Sequence, residues 1–198
     1  ATQIRLTGGG PTGLVLDERR RRMYVMTRFN NSITIVDTAR RVELGQVPLS
    51  TPDPPSVVRG RRNLYDASLS SSHGDSACAT CHVFGDFDSL AWDLGNPDGE
   101  VGTNPGPFIG DTIINPDFHP LKGPMTTQSL RGMANHGPMH WRGDRTGGND
   151  EPSAQPDSGA FDEEAGFKKF QAGFVDLLGR NEFIPEDDMQ DFTDFILR

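Results

Sequence analysis

The chain has 198 residues, enough for one good-sized domain or for one domain with a fragment beside it. Its formal net charge of −9 argues against nucleic acid and against an anionic membrane surface as partners. No apolar run nears the ~20 residues of a membrane-spanning helix, and 23 Gly and 15 Pro beside 34% apolar residues predict a loop-rich fold.

Residues 1–49 read as β structure. Leu14-Val15-Leu16, Met23-Tyr24-Val25-Met26 and Ile33-Thr34-Ile35-Val36 are short apolar strands. Asp17-Glu18-Arg19 and Asn30-Asn31-Ser32 separate them as turns. The basic run Arg19 to Arg22 falls at a hairpin tip, where a solvated turn explains it better than a nucleic-acid patch does. Gly10-Pro11-Thr12-Gly13, Met23-Tyr24-Val25, Asn31-Ser32-Ile33 and Val36-Asp37 together resemble one blade of a YVTN-type β-propeller. Such a blade needs neighbours to bury both faces, so the resemblance implies further domains of a longer protein, or a partner.

Four prolines between Pro48 and Pro55 predict a stiff linker and a boundary near residue 50. A helix is expected over Ser56–Ser68 with Val58, Leu64 and Tyr65 inward, and with Gly60 allowing another helix to approach closely.

Cys78-Ala79-Thr80-Cys81-His82 is the C-x-x-C-H pattern of c-type haem attachment. Two thiols three residues apart share one face of a helical turn, close enough to add to both vinyl groups of one haem. The following histidine then serves as proximal iron ligand through its neutral imidazole. A zinc site would want two more Cys or His nearby, and the chain has no other cysteine. A dithiol oxidoreductase would want a βαβ context, whereas Ser70-Ser71-Ser72-His73-Gly74-Asp75 precedes the pair. With both cysteines engaged, no structural disulfide is expected. Haem of this type is attached outside the cytoplasm, so the expected location is periplasmic or extracellular and Ala1 reads as a mature or trimmed start.

Asp86, Asp88, Asp93, Asn96, Asp98 and Glu100 make the next stretch acidic. Calcium is conceivable there, but the spacing matches no EF-hand loop and a solvated loop is the better reading. Gly123 to Gly143 predicts a short helix around Gln128–Asn135 followed by a tight loop, and Gly147 to Gly159 reads as a polar linker. Two helices close the chain. Phe167, Phe170, Phe174, Leu177 and Leu178 recur at helical spacing over Glu163–Leu178, and Met189, Phe192, Phe195 and Ile196 do so over Pro185–Arg198. Pro185 and three acidic residues suit the start of the latter.

From residue 60 to about 145 the chain resembles the first haem domain of the dihaem cytochrome c peroxidase superfamily, in its propeller-fused branch. The resemblance rests on Gly60, Leu64-Tyr65-Asp66-Ala67-Ser68-Leu69-Ser70-Ser71, the haem motif, Lys122-Gly123-Pro124, Ser129-Leu130 and Trp141-Arg142-Gly143-Asp144-Arg145. It implies His119 as the sixth iron ligand and Trp141, with Arg131, as haem contacts. Met125, Met133, Met139, His136 and His140 compete with His119 for that ligand position, Met125 first among them. The family's acidic peroxidase residue has no clear counterpart among Glu163, Glu164 and Gln171, and no second haem motif follows.

The expected fold is α+β: a short antiparallel sheet over 1–49 like one propeller blade, then a mainly α-helical c-type cytochrome domain over 50–198. The expected function is electron transfer by one covalent haem, with peroxidase-type chemistry as the alternative. A redox protein is the expected partner, alongside further domains of the same protein or a second copy.

Overall fold

A computed structural model of the chain describes residues 3–92, 102–103, 108–109, 112–113, 117–118, 125–140 and 162–198. Its first part is a four-stranded antiparallel meander of β1 (Pro11–Asp17), β2 (Arg22–Thr27), β3 (Ser32–Asp37) and β4 (Val42–Pro48). Three of these were legible as strands; β4 was not. Its apolar alternation is broken where the register shifts opposite Ile35 and Val36. The three connections are four-residue turns of one design, each closing on a left-handed residue: Arg21 (φ 53°), Asn31 (φ 47°) and Arg41 (φ 60°).

One face of the sheet is covered. Val25, Thr27, Ser32, Thr34 and Val36 are buried there, and the Thr27 hydroxyl meets those of Ser32 (2.7 Å) and Thr34 (3.2 Å). The chain before β1 crosses this face, since the Thr7 backbone N–H donates to Glu43 of β4 and Gln46 donates to the Thr7 hydroxyl. The opposite face is half-buried at Tyr24, Met26, Ile33 and Ile35, while strand β1 stays exposed. Leu14, Val15 and Leu16 of β1 are 64%, 67% and 52% exposed, which leaves this edge without an apolar partner.

Helix α1 (Pro55–Tyr65) begins where the proline-rich connection ends. Val57, Gly60 and Leu64 face inward, whereas Val58 is half-buried and Tyr65 is exposed, against the expectation for those two. The buried Arg61 ties the sheet to α1. It donates to the Arg28 carbonyl (2.9 Å) and Asn31 Oδ1 (3.1 Å) at one end of the sheet and pairs with Asp53. Short helices α2 (Ala67–Ser70) and α3 (Cys78–Cys81) follow.

Where one helix was expected over 163–178 there are two, α4 (Glu163–Lys168) and α5 (Gln171–Asp176). Phe170 closes a tight turn back to the Phe167 carbonyl, and Gly166 and Gly173 weaken any single helix through this stretch. No helix forms over 128–135. Gly132 and Asn135 take positive φ there, which a helix cannot accommodate. Residues 91–92 instead pair with Met125–Thr126, Trp92 opposite Met125.

The last helix, α6 (Glu186–Ile196), lies antiparallel on α1 at very short range. A Cβ on Gly60 would stand 1.8 Å from the Asp191 carbonyl oxygen, so only glycine permits this crossing. Arg59 grips Asp191 through two nitrogens (2.6 and 2.7 Å), and Asn63 donates to the Asp188 carbonyl. The main core gathers Leu64, Met139, Phe167, Phe174, Ile184, Met189, Phe192 and Ile196. The architecture is therefore α+β. No helix among the described residues is long and apolar enough to cross a membrane.

Candidate functional site

The Cys78–Cys81 turn is held at both ends. The Thr80 hydroxyl accepts from the Ala77 backbone N–H (3.0 Å), and the His82 N–H donates to the Cys78 carbonyl (2.9 Å). This places both thiols on a single turn, Cys78 and Ala79 packed against the main core. Both cysteines are free thiols. Burial pushes the Cys78 thiol up to about 11 and raises that of Cys81, so both keep their protons at neutral pH. A dithiol redox centre needs the opposite, a thiol lowered towards thiolate.

His82 carries the most informative contact. Its Nδ1 lies 2.7 Å from the carbonyl oxygen of Gln128, 46 positions further along the chain. A carbonyl only accepts, so Nδ1 bears the proton. Burial also lowers the His82 pKa, against the hydrogen bond that raises it, which favours the neutral ring. A neutral ring protonated at Nδ1 leaves the Nε2 lone pair free, which is what a metal-ligating histidine presents.

Two further contacts fix this geometry. The Leu130 N–H donates to the Gly85 carbonyl (2.9 Å), and Arg131 donates to the Phe84 carbonyl through Nε (3.3 Å) and Nη2 (3.0 Å). They clamp the segment after His82 onto the segment that carries Gln128. Phe84 itself sits in the left-handed region (φ 57°, ψ 27°) and is 77% exposed, with Val83, Phe87, Leu90 and Trp92 exposed nearby in sequence.

The structure thus brings Cys78, Cys81, His82 and Arg131 together, Arg131 as a brace of the His82 segment. Gln128 and Leu130 join them. The part played by Gln128 is not legible in the chain, because its contribution is a backbone carbonyl that any residue type supplies. His119 and Trp141 lie outside the described residues, as do Asp93, Asn96, Asp98 and Glu100 of the acidic stretch. Of the competing sixth ligands, Met139 is buried in the core and Met133 packs against it. Met125 is half-buried in the ladder with Trp92, His140 meets Phe170 edge-on (4.8 Å), and exposed His136 contacts the Ala134 carbonyl.

Three features fit a covalently held haem: two protonated thiols on one turn, a neutral imidazole with its Nε2 lone pair free, and an apolar wall behind them. A zinc site fits less well, since no group of three or more His, Cys, Asp or Glu side chains gathers among the described residues. Comparison of the chain with protein-family models, curated proteins and solved structures finds no match.

Proposed function

We propose that this chain is an extracytoplasmic c-type cytochrome that holds one haem through Cys78 and Cys81 and passes single electrons to a protein partner. The observation that carries this reading is the His82 Nδ1–Gln128 carbonyl hydrogen bond at the end of a C-x-x-C turn. Haem bound at these residues would supply a reversible one-electron couple at its iron. The chain's own residues do the rest. Cys78 and Cys81 would hold the haem by thioether bonds, each thiol adding its S–H across a vinyl group, so that retention would not rest on an iron ligand. Gln128 fixes the tautomer and plane of His82 and strengthens Nε2 as a donor. The main core, against which Cys78 and Ala79 pack, excludes water behind the turn, which would favour the less charged state of a buried redox centre. The resemblance would make His119 the second iron ligand, with Met125 as the competitor, in a mainly helical domain over 50–198.

An optical redox titration of the protein matured with haem tests this reading. The expected result is a low-spin spectrum that follows a single one-electron wave and does not change on adding hydrogen peroxide. A high-spin component with peroxide turnover would replace electron transfer by the peroxidase reading. Absence of any haem band would end both.

A further inference from the structure

The whole-chain charge of −9 conceals a strong division. Residues 1–50 hold eight arginines against four acidic residues, a net +4, and residues 51–198 carry the remaining −13. Strand pairing concentrates the positive part. The turns after β1 and β3 fall at the same end of the meander, where the Thr38 N–H donates to the Arg21 carbonyl (3.1 Å). Arg19, Arg20 and Arg21 of one turn therefore stand beside Arg40 and Arg41 of the other, all exposed.

The two turns share a construction in which one aspartate caps the backbone and also pairs with an arginine, Asp17 with Arg20 (2.9 Å) and Asp37 with Arg22 (3.0 Å), so that Arg19, Arg21, Arg40 and Arg41 carry the charge of the tip beside the single exposed acid Glu18. Asp17 accepts from the Arg20 N–H (2.9 Å), and Asp37 accepts from the Arg40 and Ala39 N–H groups (2.9 and 3.0 Å). Each turn then places arginine at the left-handed position, Arg21 and Arg41, which glycine or asparagine would occupy with less strain. The matching turn at the other end does use asparagine, Asn31. That other end is the one Arg61 ties to the helices, so the arginine tip points away from the acidic body by a strand length of ~17–20 Å.

Apolar surface adjoins the tip. A shallow open groove on the half-buried sheet face has Arg20 and Arg22 at its mouth and Tyr24, Ile35 and Leu44 along its floor. Leu16 and Val42, one on each outer strand, are 52% and 46% exposed at the same end. Clustered cations flanked by exposed apolar side chains, on a convex tip, match a surface of anionic lipid headgroups over acyl chains. The acidic side chains described beyond the far end of the sheet do not forbid this contact, because a strand length of ~17–20 Å exceeds the Debye length of ~8 Å.

We propose that the arginine end of the sheet docks on an anionic lipid surface, headgroup phosphates meeting Arg19, Arg21, Arg40 and Arg41 while the exposed apolar side chains of the outer strands at that end, Leu16 and Val42, meet the acyl boundary. This docking rests on the sheet alone and is independent of haem.

Flotation of the full chain with phosphatidylglycerol–phosphatidylcholine vesicles tests it. Binding is expected at low salt, should weaken steeply as salt rises, and should be absent with phosphatidylcholine alone. A variant combining Arg19→Gln, Arg21→Asn, Arg40→Gln and Arg41→Asn should lose binding by at least ~100-fold, since each arginine near such a surface is worth roughly fivefold. The asparagines suit the left-handed positions, so its unfolding midpoint should not fall. Undiminished binding by a folded variant, or equal binding to uncharged vesicles, would overturn the proposal. Binding to duplex DNA or to polyglutamate but not to vesicles would overturn it too, assigning the tip to a polyanion.

Discussion

His82 and Gln128 are joined through a side-chain nitrogen and a main-chain oxygen, Nδ1 to O, at 2.7 Å. The bond connects the C-terminus of the Cys78–Cys81 turn to a loop that folds back from 46 residues later, and it decides which ring nitrogen carries the proton. The protein without haem should therefore hold His82 as the neutral Nδ1-protonated tautomer. Long-range nitrogen–proton correlation spectra at neutral pH report this directly. A ring protonated at Nε2 instead would mean that the bond to Gln128 is not formed.

The thiols give a pH signature. A cysteine in the unfolded chain titrates near 9, while buried Cys78 holds its proton to about 11. Between those values the unfolded state releases a proton first, so stability falls as pH rises through the window, by about 2–3 kcal/mol. Below pH 9 both states are protonated and this dependence vanishes. Thioether sulfur does not titrate, so the loss should appear in haem-free protein and be absent from the matured one. Urea unfolding at pH 8 and pH 10.5 on both forms makes the comparison.

Gly60 sets how closely α1 and α6 approach. Gly60→Ala gains up to ~1 kcal/mol of helix propensity, but its Cβ would lie 1.8 Å from the Asp191 carbonyl oxygen, on backbone that cannot step aside. Overpacking wins, and a net loss of about 2 kcal/mol or more is expected in chemical denaturation. Gly45→Ala is the control, since nothing lies within 4 Å of its new methyl. Equal effects at the two sites would mean that α1 and α6 do not cross at Gly60.

Arg61 couples the sheet to the helices. Arg61→Met keeps much of the side-chain volume but removes a donor from the Arg28 carbonyl, Asn31 Oδ1 and Asp53, of which Asn31 Oδ1 keeps its bond from Arg28. A loss of about 1–3 kcal/mol is expected, chiefly from the buried acceptors that lose a hydrogen bond, since the Asp53 carboxylate is partly exposed and regains water. The sheet should then unfold ahead of the helices, because a small sheet with one covered face has little stability of its own. A single cooperative transition in the variant, unchanged from wild type, would show that the two parts are held together elsewhere.

What could be read from the chain alone was local. The Cys78–His82 motif, the close helix approach at Gly60 and the apolar stripe of α6 each follow from spacing within one segment. The failures have physical causes. Strand β4 hides behind a register shift, the expected 163–178 helix breaks at Phe170 between two glycines, and positive φ at Gly132 and Asn135 removes the expected 128–135 helix. The contacts of Arg61 with Arg28 and of His82 with Gln128 join distant segments through main-chain carbonyls, which carry no side-chain signal. The arginine tip needed strand order to appear, since Arg19–Arg22 and Arg40–Arg41 are separate short runs until β2 and β3 pair.

The most direct test of the haem assignment is the intact mass of protein matured where haem attachment operates, taken before and after acid–acetone extraction. One haem should remain on the chain through extraction. Cys78→Ser with Cys81→Ser should abolish it, and His82→Ala should keep the mass while changing the spin state. A wild-type chain that carries no haem, or that loses it to the solvent, would contradict covalent attachment at Cys78 and Cys81.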